Sequence, residues 1–352
     1  MSNKVDIGFL EEKSSWRFHP RFFPSKVGGK PAWLDLKHQP TPSELACKRC
    51  KDPLLFLCQI YAPYEESDQC FHRTIFIFIC RNGSCCQTNS TDNFLVLRCQ
   101  LPRKNDFYSF HPYEDKEEVF PMDKWPKLCE LCGAKAPSHC SKCKKVFYCS
   151  RKHQVLDWQK GHKECCPELQ SQETVRGNHF IVTPSGKSVL FKEWEIIVDE
   201  EDEEEAKNVN LNREMEKFNK MVQEKKAGTL DDVPESELEQ YTKGMPDDKV
   251  YKKFSKRVAR HPDQVLRYDR GAEPLWITKP EESVIDIPKC EYCNGERQFE
   301  FQVMPQLLNF IDVGIELNSI DWGILAVYTC KDSCNHGPSY KTEYLIKQDL
   351  ST

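Results

Sequence analysis

The chain has 352 residues, 50 Lys and Arg against 55 Asp and Glu for a net charge of −5, and 19 cysteines. So even a balance supplies no chain-wide polycation for nucleic acid, and the length allows two or three domains. The opening MSNKVDIGFLEEK has no apolar signal region and no run reaches membrane-spanning length. The cysteines are therefore expected as metal ligands or core thiols in a reducing compartment, not as disulfides, and no membrane contact is expected.

Residues 1–115 read as a β-rich unit. Residues 54–61, 75–80 and 94–97 set aromatic and aliphatic side chains at strand spacing, and the apolar run 75–80 reads as a buried strand. Cys47 and Cys50 form a C-x2-C pair, followed by Cys80 and Cys85, which makes the ligand count of a closed all-cysteine zinc site. Cys58, Cys70 and Cys99 adjoin apolar residues and are expected in the core. Cys86, next to Cys85, is an alternative ligand.

After a linker at 116–128, residues 129–166 read C-x2-C-x7-C-x2-C-x5-C-x3-H-x8-H-x3-C. The eight donors are Cys129, Cys132, Cys140, Cys143, Cys149, His153, His162 and Cys166, enough for two four-coordinate zinc ions. Cys149/His153 and His162/Cys166 are each four apart, so one helical turn aims both members of a pair at one metal. Spacing leaves sequential and interleaved sets open, and Cys165 competes with Cys166. So short a segment has too little apolar surface to fold unaided, whereas structural zinc contributes roughly 10 to 16 kcal/mol. Neither ligand set leaves a position for a catalytic water, so the zincs are expected to hold shape. Eight Lys or Arg against three acids make the finger basic. It has no base-reading helix and no aromatic-interleaved basic stripe, so direct nucleic-acid binding is not expected.

Residues 167–198 form a connecting region with one strand candidate, VLFKEWEIIV at 189–198. The segment 199–246 is acidic. Seven acids run unbroken from Asp199, and 199–248 carries 17 acids against 7 bases. Such a stretch cannot bury a core and reads as a disordered linker. Two roles stay open for it, a solubilising spacer and a polyanion that imitates nucleic acid toward a basic client. Residues 247–352 form a second β-rich unit with a leading helix at 247–260, where Val250, Phe254 and Val258 recur every four residues and Asp247 is the N-cap. Strands are expected at 299–303 and 325–328, and Cys290, Cys293, Cys330 and Cys334 make a second all-cysteine quartet.

The two ends of the chain repeat one another. Adding 243 maps Gly28 onto Gly271, Pro31 onto Pro274, Trp33 onto Trp276, Cys47 onto Cys290, Cys50 onto Cys293, Phe56 onto Phe299 and Gln59 onto Gln302. The offset drifts to 250 for Cys80 and Cys330 and to 248 for Gln100 and Gln348. The expected fold class is α+β and β-rich: two homologous zinc-bearing β-modules, N- and C-terminal, with the double-zinc finger and the acidic linker between them. Whether the modules pack together stays open.

Residues 129–166 resemble the MYND zinc finger, in which the first and third ligand pairs hold one zinc and the second and fourth hold the other. The resemblance implies Cys129, Cys132, Cys149 and His153 for one site, and Cys140, Cys143, His162 and Cys166 for the other. His153 stands where that family usually has Cys, a swap zinc accepts, and Asp157 where it often has His. MYND fingers recognise proline-rich peptides, and the matching groove positions are Ser150, Gln154 and Trp158. The competing fate for Trp158 is packing against Tyr148 or Leu156.

Outside the finger, KVGGKPAWL at 26–34, LPRKNDFYS at 101–109, FQVMPQLLNF at 301–310 and SIDWGILAVYT at 319–329 resemble the programmed cell death protein 2 family over nearly the full length. The resemblance implies a MYND finger joined to a duplicated cysteine-bearing β-domain, and the ligand count of the four donor sets gives two zinc ions in the finger and one in each outer module. The resemblance also implies a function: a dedicated chaperone for a newly made small-subunit ribosomal protein of the universal S5 class, eukaryotic S2 type, delivering it to pre-40S particles in cytoplasm and nucleus. The alternative is an adaptor binding proline-rich peptides of corepressors in transcriptional or cell-death signalling. An enzyme is not expected, since the chain has no P-loop, no G-x-S-x-G, no H-E-x-x-H and none of the words of a SET methyltransferase. Trp33, Trp276 and the GGKPAWL loop are the first candidates for client contact, set against a Gly-Pro-Trp turn that packs its own module.

Overall fold

In the computed structural model the described residues are 4–117, 126–171, 189–201, 249–280, 286–311 and 319–349. In chain order they form strands β1 (Asp6–Glu11), β2 (Lys26–Val27), β3 (Leu55–Tyr61), β4 (His72–Ile79), β5 (Phe94–Leu101), β6 (Ser138–His139) and β7 (Phe147–Tyr148), then helices α1 (Arg151–Asp157) and α2 (Lys163–Ser171). There follow β8 (Trp194–Glu200), helix α3 (Lys249–Val258), β9 (Leu266–Tyr268), β10 (Arg297–Val303), β11 (Ile324–Cys330) and β12 (Tyr340–Gln348). The acidic run beyond Glu201, with the Asp247 N-cap, lies outside the described residues.

Ten strands close into one antiparallel barrel in the order β1-β8-β2-β3-β4-β5-β12-β11-β10-β9. The fold is thus β-rich with few helices, and the question of separate or packed β-units is answered by a shared barrel. One seam joins β5 to β12, with Cys99 opposite Tyr340 and Val96 opposite Glu343. The other seam is less obvious from chain order: β8 pairs with β2, and β1 pairs with both β8 and β9. The connecting strand expected at 189–198 is therefore a stave of the barrel, shifted to Trp194–Glu200.

Closure explains the composition of the strands. β3 and β4 are buried almost throughout, as LFLCQIY and HRTIFIFI, because one face fills the interior and the other is covered. One apolar core runs through both ends of the chain, from Val27, Phe56, Phe76 and Phe78 to Phe301, Val327 and Leu345. Local details recur at the 243-residue offset. A β-bulge falls between Phe56 and Cys58 and again between Phe299 and Phe301. The Gln59 side-chain oxygen accepts from the Ala32 N–H at 2.9 Å, and that of Gln302 from the Leu275 N–H at 2.6 Å.

The finger is seated on this barrel. Leu131, Cys132, Ala134, Ala136 and Cys149 share the barrel core, and the Lys30 ammonium bridges to Glu130 at 2.8 Å. Trp33 is the key to the seat. It is 1% exposed, lies against Phe76, Phe78 and Tyr340, and its indole N–H donates to the Gly133 carbonyl at 2.9 Å. Of the two outcomes weighed for Trp33, packing is the one observed, since burial and a satisfied N–H leave no free indole face. Trp276 is half-buried against the cluster around Phe254 and Ile277.

Candidate metal centres

Four donor groups assemble among the described residues: Cys47, Cys50, Cys80 and Cys85; Cys129, Cys132, Cys149 and His153; Cys140, Cys143, His162 and Cys166; and Cys290, Cys293, Cys330 and Cys334. Within each group the donor atoms lie within 4.8 Å of one another. The finger donors are thus brought together in the interleaved arrangement, and each outer quartet gathers as the spacing suggested.

Each group begins with a C-x2-C turn, whose backbone reverses on a left-handed residue. Lys51 has φ 62° and Asn294 has φ 59°. Their N–H groups donate back to the Cys47 carbonyl at 3.0 Å and the Cys290 carbonyl at 2.8 Å. The turn also presents amides to the first sulfur. Burial pushes the Cys140 thiol up, but the N–H groups of Cys143 and Lys142, with His162, outweigh it and hold it at about 6. Cys47 is lowered in the same way by the amides of Cys50 and Arg49, and Cys290 by those of Tyr292 and Cys293. A thiolate is the form that binds a metal.

The spacings suit a tetrahedral ion. A Zn–S bond of about 2.3 Å places two tetrahedral sulfurs roughly 3.8 Å apart, far beyond the ~2.05 Å of a disulfide. The sulfurs of Cys290 and Cys334 are 3.7 Å apart, those of Cys293 and Cys330 3.6 Å, those of Cys50 and Cys80 3.6 Å, and those of Cys140 and Cys166 3.9 Å. His153 presents Nδ1 to the Cys129 sulfur at 3.4 Å and to the Cys149 sulfur at 3.3 Å, while His162 presents Nε2 to the Cys143 sulfur at 3.6 Å. Closely set soft donors, all Cys or His, are what zinc takes in closed structural sites. The two adjacent-cysteine ambiguities also resolve. Cys86 turns away to the Asp321 carbonyl at 3.3 Å, and Cys165 lies beside the His162 backbone at 3.6 Å, so Cys85 and Cys166 occupy the donor positions.

The rest of the finger holds these donors. The Ser150 hydroxyl caps α1 by accepting from the His153 N–H at 3.2 Å, which fixes the turn that carries this candidate donor. The Tyr148 hydroxyl donates to the buried Asp157 carboxylate at 2.6 Å, giving Asp157 a packing role where a His is often found. Of the three groove positions, Ser150 is thus engaged as a cap and Gln154 is half-buried. Trp158 is 38% exposed, with its ring edge-on to His162 at 5.8 Å.

Sequence reading missed the polar collar around the C-terminal quartet, formed by Arg98, Gln100 and Glu343. The signal was there: Arg98 interrupts the apolar strand FLVLRCQL, where an unpaired charge would be costly.

The family model described as "Programmed cell death protein 2, N-terminal domain" matches residues 4–115, and "Programmed cell death protein 2, C-terminal putative domain" matches 248–349. The MYND finger model matches 129–166. Among curated proteins, rat "Programmed cell death protein 2" is 43% identical, covering 99% of this chain and 97% of the relative. Human "Programmed cell death protein 2-like" is 27% identical, with 92% and 90% covered. "Probable 20S rRNA accumulation protein 4" of Schizosaccharomyces pombe is 24% identical, with 94% and 92% covered. No solved structure matches the chain significantly.

Proposed function

The chain belongs to the programmed cell death protein 2 family, and from that premise we propose that it is a dedicated chaperone for a newly made small-subunit ribosomal protein of the universal S5 class. The observation that carries this reading is the end-to-end similarity to a fission-yeast protein named for 20S rRNA accumulation, which points to ribosome biogenesis. The chain's charge supports it. A basic ribosomal protein needs its RNA-seeking surface covered until RNA is available, and the acidic stretch after Glu201 is a suitable cover, Asp199 and Glu200 being part of β8 and Glu201 being buried against Arg257 and Arg267. The protein acts by binding and not by catalysis, in cytoplasm and nucleus. Four zinc ions per chain hold the binder in shape, two in the finger and one in each outer quartet. The recurrence of bulge, glutamine bond and cysteine turn at one offset supports descent of the two halves from one duplicated unit.

A second reading, an adaptor for proline-rich peptides, is favoured by one observation: Trp158 is exposed on the finger helix beside Gln154. Affinity purification from cell extract separates the two. On the chaperone reading the S5-class protein co-purifies in near-stoichiometric amount, and Trp158→Ala with Gln154→Ala leaves its capture intact. Failure of that protein to co-purify removes the chaperone reading. Loss of its capture in the double variant transfers the client to the finger.

A further inference from the structure

The C-terminal cysteine quartet is enclosed by side chains from the other end of the chain. Arg98 and Gln100 belong to β5, more than two hundred residues before Cys330 and Cys334. The Arg98 guanidinium is wholly buried, places Nη2 3.9 Å from the Cys334 sulfur, and donates through Nη1 to the Cys334 carbonyl at 3.2 Å. The same guanidinium donates through Nε to Glu343 at 2.6 Å and through Nη1 to the Gln100 side chain. The Gln100 amide in turn donates to the Ser333 carbonyl at 2.7 Å. The other Glu343 oxygen accepts from the Cys330 N–H at 3.1 Å and from Arg297 at 3.1 Å. Two of the four donors in the quartet are therefore held by one network that crosses the β5·β12 seam.

We propose that Arg98 is a positioning residue for the metal of the C-terminal quartet, so that retention of this metal reports closure of the barrel. The chemistry follows from charge. Four thiolates around a divalent ion leave a net charge of −2 in a largely buried place, and such an anion needs cations and N–H donors close by. Within its own half the quartet has Arg297, which shares the Glu343 carboxylate with Arg98, the buried Lys341, and Arg270, which donates to the Lys331 carbonyl and the Ser333 hydroxyl between Cys330 and Cys334. Arg98 supplies the further positive charge, and it reaches the sulfur only while β5 lies against β12. The N-terminal quartet differs: buried Lys347 reaches across the seam to the Gln87 carbonyl at 3.0 Å and to Cys86, which is not among the donors.

The inference rests on the four-zinc reading, and the wild-type chain tests that first. Metal content of the full-length protein is measured, followed by metal release to a colorimetric chelator and by 113Cd NMR of the cadmium-exchanged chain. A wild-type content of two, both in the finger, overturns both the four-zinc reading and this inference. With four present, Arg98→Met is expected to speed release of one equivalent by roughly 10- to 100-fold, a range usual for the supporting partners of metal ligands. The resonance that moves is the one lost in Cys334→Ser, and Arg98→Lys restores part of the retention. Unchanged release, or acceleration at the Cys47 quartet, overturns the proposal. So does synchronous loss of all four metals from a folded variant. Should Arg98→Met not fold, Gln100→Leu keeps the charge and removes the side-chain bonds to Ser333 and to Arg98. It is expected to speed release of the same equivalent a few-fold, and a wild-type rate in that variant overturns the proposal.

Discussion

Glu300 sits at the β-bulge of β10 with no exposed surface, a position that only a full set of partners makes tolerable. Both of its oxygens accept from the Arg73 guanidinium, and it also accepts from the Thr329 hydroxyl and, at 3.0 Å, from the Tyr268 hydroxyl. Burial pushes the carboxyl up, but Arg73, with Arg270 and Thr329, outweighs this and holds it at about 2 against an ordinary 4.5. A lowered folded-state value means the stabilisation is full above the ordinary carboxyl range and is lost as pH falls through it toward 2. Its size is on the order of 3 kcal/mol. Glu300→Gln is expected to cost about 3–5 kcal/mol at pH 7, because Arg73 is left buried without its counter-charge. The gap between wild-type and variant urea midpoints should narrow steadily below pH 4.5. A gap independent of pH would exclude the ion pair as its source. The two charges stand out in the apolar strands HRTIFIFI and RQFEFQV, but nothing local in either strand reveals that they meet.

The finger and its seat show how one glycine joins two elements. Gly133 has φ +69°, and a Cβ there would lie 2.4 Å from Pro31 Cδ. Lys51 and Asn294 make the same left-handed turn in the outer quartets, so what requires glycine at this position is the close approach to the GGKPAWL loop. Its carbonyl is the acceptor for Trp33. Gly133→Ala should loosen the seat while the donor groups of the finger stay intact, costing on the order of 1–3 kcal/mol. Hydrogen exchange at the amides of Leu131, Ala134 and Ala136 should accelerate, with metal content unchanged. Loss of finger metal in that variant would show that seat and site are one unit. The finger's donor spacing and the loop's Gly-Pro-Trp sequence were both readable in the chain. That the loop's Trp binds the finger's turn was not, because the contact spans 100 residues.

Closure of a single barrel alters what loss of an outer quartet should do. Two independent β-units would unfold separately when their cysteines are replaced. Here the core is continuous and both seams join the two ends of the chain, so Cys50→Ser and Cys293→Ser are each expected to lower the same cooperative transition. Each should remove one metal equivalent, and thermal unfolding followed by circular dichroism should keep one main step. Two resolved steps, with only one shifted by each variant, would show that the halves are energetically independent. A barrel also removes the exposed sheet edges that two open units would present. The proposed duplication is consistent with a ring in which β1 and β8 each cross to the other half.

Sequence alone marked the four candidate donor groups that the fold assembles, because a C-x2-C turn is a local structure whose candidate ligands can be counted from spacing. It also marked matched Trp, Gly and Cys positions at a 243-residue offset, and six of the twelve described strands, which apolar runs mark directly, but not β1 or β12. Tertiary structure decided the rest. Only it shows that the two ends close on each other, that β1 and β8 complete the ring, that Trp33 is a finger anchor, and that Arg98 reaches the distant cysteines. The physical reason is common to all four: each depends on pairing across a hundred residues or more, and hydrophobic periodicity records which side of a strand is buried, not which strand lies beside it.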